Sequence, residues 1–236
     1  MKQVGSALWL HGYGTHPGFD ELCAAASETA YRHDIALEIP PLNRRQQDPD
    51  RVVVPSLDEQ IEKVKNYLDR GPDEIICHSF GGLILALACC DRTPSAQQLS
   101  LLAPPLNVTS DRFIKDLRRP TDHDQIEASA FGGAYGRLGW MWHGQAQTMV
   151  VSNDFIEGVS PAHIKPLALI GNLLGKFAKP QIFRPGLDER LGDQADQYGR
   201  LGELATCQII DVPNASHRFR GMELEIASDA LLGLEI

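Results

Sequence analysis

The chain has 236 residues, 43% of them hydrophobic, which suits one sizeable core and would be cramped for two full domains. A formal charge of −9, with no basic cluster longer than Arg44-Arg45 or Arg118-Arg119, argues against nucleic acid or an anionic membrane as partner, and a small uncharged molecule is the expected ligand. The five cysteines are odd in number and lack metal-ligand spacing, so they read as small buried hydrophobes in a reducing compartment; with no signal-peptide-like start and no bilayer-length apolar run, a cytoplasmic protein is expected.

Along the chain, short apolar runs alternate with longer stretches of helical periodicity. That alternation predicts crossover connections and a mostly parallel sheet flanked by helices, an α/β fold. Strands are expected at 7–11, 35–40, 74–78, 99–103, 181–184 and 208–212. Helices are expected at 19–33, 57–69 behind a Ser56 cap, 80–90, 162–177, 192–205 and 222–232. The whole of 1–236 reads as a single domain, interrupted at 104–160, after the fourth predicted strand. This stretch opens with Pro104-Pro105, becomes highly charged, and then turns glycine- and aromatic-rich in FGGAYGRLGWMWHG. It is expected to be a lid insertion over the active site, because structureless loops of such length rarely sit in a compact domain without a task. Tyr135, Trp140 and Trp142 are expected either to line a substrate pocket or to form the lid's own small core.

The most informative segment is DEIICHSFGG, residues 73–82. Ile75, Ile76 and Cys77 read as a buried strand, Gly81 to Ala88 as a helix packed closely on the sheet, and Ser79 as the turn between them. Such a turn exposes a serine hydroxyl above the sheet, and small neighbours let strand and helix approach. Cys77 stands where the G-x-S-x-G pattern has its first glycine, a departure that the compact cysteine side chain tolerates. The competing reading is a serine that only caps a helix.

A serine hydroxyl is a weak nucleophile at neutral pH and needs a base, which in turn needs a carboxylate to fix its tautomer. The loops after the last two predicted strands, PGLDERLGDQ and PNASHRF, leave the same sheet edge as Ser79 and offer Asp188 and His217. The other histidines sit in the strand and elbow loops, the first loop, helix ends or the expected lid, and His11 reads as a structural hydrogen-bonder. For the acid, Asp188 ranks first, with Glu189 and then Asp193 as alternatives because of the spacing from Gly186. An oxyanion would be met by the backbone N–H groups of Phe80, directly after the nucleophile, and of Tyr13 in LHGYG, although Tyr13 also reads as a pocket wall.

Through LHGYG, CHSFGG, GLDERLGDQA and NASHRF, in that order, the chain resembles the α/β-hydrolase superfamily along nearly its whole length, and within it small bacterial esterase-like members that begin directly at the HG-containing strand. The resemblance implies a Ser-His-Asp mechanism through an acyl-enzyme, with no cofactor and no metal. The expected activity is hydrolysis of a carboxylic ester or thioester of a small to medium acyl substrate. Two other classes share the fold: a natural-product tailoring enzyme (cyclase or lyase) using the Ser-His pair as base, and a non-catalytic binding protein.

Overall fold

A computed structural model describes residues 5–45, 52–107, 117–118, 135–142, 145–160, 162–192 and 194–233, with the backbone alone at 117–118, 137–142 and 145–148. In chain order its first elements are β1 (Ser6–Leu10), α1 (Glu21–Arg32), β2 (Ala36–Glu38), β3 (Arg44–Arg45), β4 (Val52–Val54), α2 (Leu57–Leu68), β5 (Glu74–His78), α3 (Phe80–Ala88) and β6 (Gln98–Leu102). There follow β7 (Leu117–Arg118), β8 (Tyr135–Trp142), β9 (Gln145–Ser152), α4 (Asn153–Gly158), α5 (Pro166–Leu174), β10 (Gln181–Leu187), α6 (Ala195–Leu204), β11 (Gln208–Ser216) and α7 (Glu223–Leu232).

Six strands form one sheet in the order β11-β10-β6-β5-β1-β2, parallel throughout. Each predicted strand of the α/β alternation lies in it, with ends shifted by a few residues. The period-two alternation divides the core between the two faces. Leu8, Leu10, Ile75 and Cys77 pack with Val64 of α2, Leu83 of α3 and Ile170 of α5. On the opposite face Ala7, Trp9 and Ile76 pack with Leu22 and Ala26 of α1 and with Ile226 and Ala230 of α7. Burying each Leu or Ile this way contributes about 1.5–3 kcal/mol.

Local chemistry sets the helix starts. Asp20 accepts the Cys23 amide at the head of α1, and Ser56 accepts the Glu59 amide at the head of α2. The helix expected from residue 162 begins only at Pro166, since proline suits the first turn and holds Lys165 before it extended, at φ −125° and ψ 90°.

The second sheet lay outside the sequence expectation. It runs β3-β4-β9-β8-β7 and joins the end of the 104–160 stretch to Val52–Val54, a segment that precedes α2. Val52, Val54, Met149 and Val151 face the main core, while Val53, Val150 and Tyr135 form a small cluster of their own.

Glu74, opening β5, is a polar intrusion in this core. It is 1% exposed, its Oε2 has no hydrogen-bond partner among the described residues, and burial pushes its carboxyl up to about 8. The folded chain therefore keeps a proton that the unfolded chain releases above a pKa of 4.5. This contribution to stability is complete below that value and is lost as pH rises through about 8. Glu74→Gln, neutral at every pH, should not show the loss. Between pH 5 and pH 8.5, urea unfolding of the wild type should weaken relative to the variant by about 1.4 kcal/mol per pH unit inside the window. Parallel pH profiles for the two proteins would remove Glu74 as the cause.

Candidate active site

Because the main sheet is parallel, the loops leaving β1, β5, β10 and β11 emerge at one edge, where open α/β sheets bind ligands. Those loops carry Gly12-Tyr13, Ser79, Asp188 and His217 respectively. Ser79 lies between β5 and α3 at φ 51° and ψ −122°, a left-handed conformation costly for a residue with a Cβ. Close packing enforces it. A Cβ on Gly81 would stand 2.5 Å from the Leu10 carbonyl oxygen, so α3 approaches β1 only because residue 81 is glycine. A Cβ on Gly82 would lie at an ordinary 3.8 Å from Cys77 Cβ, which explains why cysteine is accommodated on the strand side. Burial raises the Cys77 thiol well above its usual range, as for an inert core residue.

Ser79 occupies the N-cap position of α3 but makes no side-chain cap bond. Its Oγ lies 2.8 Å from His217 Nε2, and His217 Nδ1 lies 2.9 Å from Asp188 Oδ2. The other carboxylate oxygen, Asp188 Oδ1, accepts the backbone amides of Arg190 and Leu191 at 3.0 and 2.7 Å. Burial opposes ionisation of Asp188, but the bond and charge of His217 and these two amides outweigh it and hold the carboxyl below its usual range. With Asp188 ionised, the His217 proton belongs on Nδ1 and Nε2 can accept from the serine hydroxyl. The hydrogen bonds thus run in one line from Ser79 to Asp188.

Glu189, the alternative acid, contacts the histidine elsewhere: its Oε2 accepts the His217 backbone N–H at 2.9 Å. Asp193 lies outside the described residues. His11 is occupied by the loop after β1, since its Nε2 accepts the Leu42 amide at 2.9 Å and its Nδ1–H points at the Gly12 carbonyl and the Thr15 hydroxyl, both at 3.0 Å. Burial pushes it down to about 4, so it stays neutral.

The loop after β1 touches the Ser79 turn. A Cβ on Gly12 would be 3.2 Å from Ser79 Cβ, so the Gly12 main chain, one residue before Tyr13, closely approaches that turn. The Tyr13 ring stacks on Phe155 of α4 at 5.4 Å between centroids and packs on Phe80 at 5.9 Å. Phe80 heads α3, where a backbone N–H has no intrahelical acceptor.

No family model matches the chain, and a search of curated proteins found no match. Among solved structures, it is similar to Est1E from Butyrivibrio proteoclasticus with ferulic acid bound (15% identity, 97% of this chain and 87% of that one, TM-score 0.61). It is similar also to the esterase domain of a Rhodothermus marinus protein (12%, 95% and 83%, TM-score 0.60), and to the thioesterase domain of the curacin biosynthetic pathway (9%, 97% and 90%, TM-score 0.56). The fold is the α/β-hydrolase fold.

Within that α/β-hydrolase fold, one glycine brings the Asp188 and His217 loops together. β10 and β11 are in register to Pro185↔Val212 and then shift, so that Leu187 pairs with Ser216 across a bulge. A Cβ on Gly186 would fall 2.2 Å from the Pro213 carbonyl oxygen, so the two strands can close across the bulge only with glycine at 186. Asp188 and His217 follow immediately on either side.

Of the aromatic residues expected at a pocket, Tyr135 is buried against Val53 and Val150 in the second sheet, while the Trp140 and Trp142 side chains lie outside the described residues. Phe155 was not anticipated, and nothing in its local sequence NDFIEG separates it from an ordinary helix residue. The roles of His78 and Glu189 at the His217 backbone were also missed, although each is the chain neighbour of a residue already singled out. Among the described residues no group of His, Cys, Asp and Glu is placed to hold a metal ion, and no helix is long and apolar enough to cross a membrane.

Proposed function

We propose that this chain is a serine hydrolase that cleaves a carboxylic ester or thioester of a small to medium acyl substrate through an acyl-enzyme. The observation that carries the reading is the unbroken line Ser79 Oγ, His217 and Asp188, at 2.8 and 2.9 Å, on a serine held in a left-handed turn without a capping task. In the first half-reaction Ser79 Oγ attacks the acyl carbon as its proton passes to His217 Nε2, while ionised Asp188 stabilises the imidazolium. The tetrahedral oxyanion is met by the backbone N–H groups of Phe80 and Tyr13, each donor contributing about 3–4 kcal/mol to the transition state. Collapse expels the alcohol or thiol, which takes the proton from His217. Water, deprotonated by the same nitrogen, then releases the acid and restores Ser79. The chemistry uses no cofactor, and the partner is a small molecule.

Esterase and thioesterase structures among the fold's relatives support this reading at the level of chemistry. A panel of p-nitrophenyl esters of rising chain length, a feruloyl ester and acyl-thioesters tests it, together with covalent labelling by a fluorophosphonate. Labelling at Ser79 and turnover of at least one ester or thioester series are expected. A chain that neither labels nor turns over any of them is not a serine hydrolase of this kind.

A further inference from the structure

The two ring hydrogen bonds of His217 do not locate its main chain, because the residue stands just past the end of β11, where the ladder with β10 has stopped. Two side chains take over. The His217 N–H donates to Glu189 Oε2 at 2.9 Å, and its carbonyl accepts from His78 Nε2–H at 3.0 Å. His78 is the chain neighbour of Ser79, and Glu189 is the chain neighbour of Asp188. The dipeptide His78-Ser79 thus grips the histidine at carbonyl and Nε2, and the dipeptide Asp188-Glu189 grips it at amide and Nδ1. We infer that His78 and Glu189 are positioning residues that fix the main chain of His217 from both sides, so that its ring meets Ser79 and Asp188 together. The inference rests on the reading of Ser79, His217 and Asp188 as catalytic.

The chemistry of each group suits that task. His78 is 2% exposed and its ring centroid lies 5.3 Å from that of His217. Burial, then the nearby His217, push it down to about 3, so it remains neutral and its Nε2 proton stays available to the carbonyl. A charged ring at that distance would oppose the imidazolium that forms at His217 during turnover. Glu189 reaches an amide that would otherwise lose its acceptor where the sheet ends, a bond strengthened by the carboxylate charge. Since a misplacement of about 1 Å at a reacting group costs roughly a hundredfold in rate, fixing the backbone of the base is a direct contribution to catalysis.

Conservative and disruptive replacements separate positioning from bulk stability. His78→Gln can keep a donor near Nε2, and Glu189→Gln keeps an acceptor, whereas His78→Leu and Glu189→Met keep size and lose the bond. With the best ester from the panel, the Leu and Met variants should lose about ten- to a hundredfold in kcat with KM little changed, and the Gln variants should recover most of it. The fluorophosphonate labelling rate should follow kcat. A second measurement does not depend on turnover: the His217 ring N–H signal in spectra of ¹⁵N-histidine protein should shift or broaden in the Leu and Met variants and return in the Gln variants. Should His78→Leu fail to fold, the Glu189 pair decides alone. Wild-type kcat and an unmoved ring signal in the Leu and Met variants would overturn the inference while leaving the hydrolase reading intact. A wild type that never labels would sink the hydrolase reading, and with it this inference, even if the ring signal still reported the backbone contacts.

Discussion

Ser79→Ala should abolish turnover of any ester the wild type accepts, with kcat falling by roughly 10⁵-fold or more while the fold persists. Two observations separate chemistry from folding at this position. The serine makes no cap bond to α3, and its Oγ hydrogen bond is to His217 alone among the contacts described, so deleting the hydroxyl removes one bond with a net value of about 1 kcal/mol. The backbone there remains at φ 51°, as strained for alanine as for serine. Glycine lacks that penalty, so Ser79→Gly should be equally inactive yet more stable than Ser79→Ala by about 1 kcal/mol. The check is kcat together with urea midpoints for the three proteins. Esterase activity surviving in either variant would place the nucleophile elsewhere.

The main sheet was legible because its physics is local. Ile75-Ile76-Cys77, a continuous apolar run with small residues following, reads as a strand feeding a closely packed helix, and the structure has β5 and α3 there. His217 and Asp188 were legible for a topological reason, since parallel strands deliver their following loops to one edge. The second sheet was not read, although Val52-Val53-Val54 and Met149-Val150-Val151 are β-branched-rich runs. Their pairing partners lie nearly a hundred residues apart in the chain, and the glycines and tryptophans of 132–142 resemble loop chemistry as much as strand. The bulge between β10 and β11 was also unreadable, because the need for glycine at 186 comes from a carbonyl on another strand. The bulge puts its extra residues on β11, between Val212 and Ser216, while Asp188 stands one residue closer to Gly186 than the expected pattern has it, so spacing alone left Asp188 and Glu189 open.

Asp188→Asn should lower kcat by about 10³–10⁴-fold, far more than Glu189→Gln or Asp193→Asn. The asymmetry follows from which atom each residue reaches. Asp188 Oδ2 faces the His217 ring at Nδ1 while Oδ1 accepts two backbone amides, so an asparagine that keeps its oxygen on those amides turns its NH2 to Nδ1 and favours the tautomer with the proton on Nε2. That nitrogen then cannot accept the proton of Ser79, and the developing imidazolium loses its counter-charge. Glu189 reaches the backbone N–H, for which a glutamine oxygen remains an adequate acceptor, so the neutral replacement keeps the geometry. Stability provides the second readout. The folded state holds Asp188 ionised with its pKa below the usual range, so its contribution to stability is present above the unfolded carboxyl pKa and is lost as pH falls through the lower folded value. Asp188→Asn should therefore flatten the acid limb of the unfolding profile as well as remove activity. Were Glu189→Gln to cost more than Asp188→Asn in kcat, the acid of the triad would be Glu189, and the 2.9 Å contact to Nδ1 would be structural.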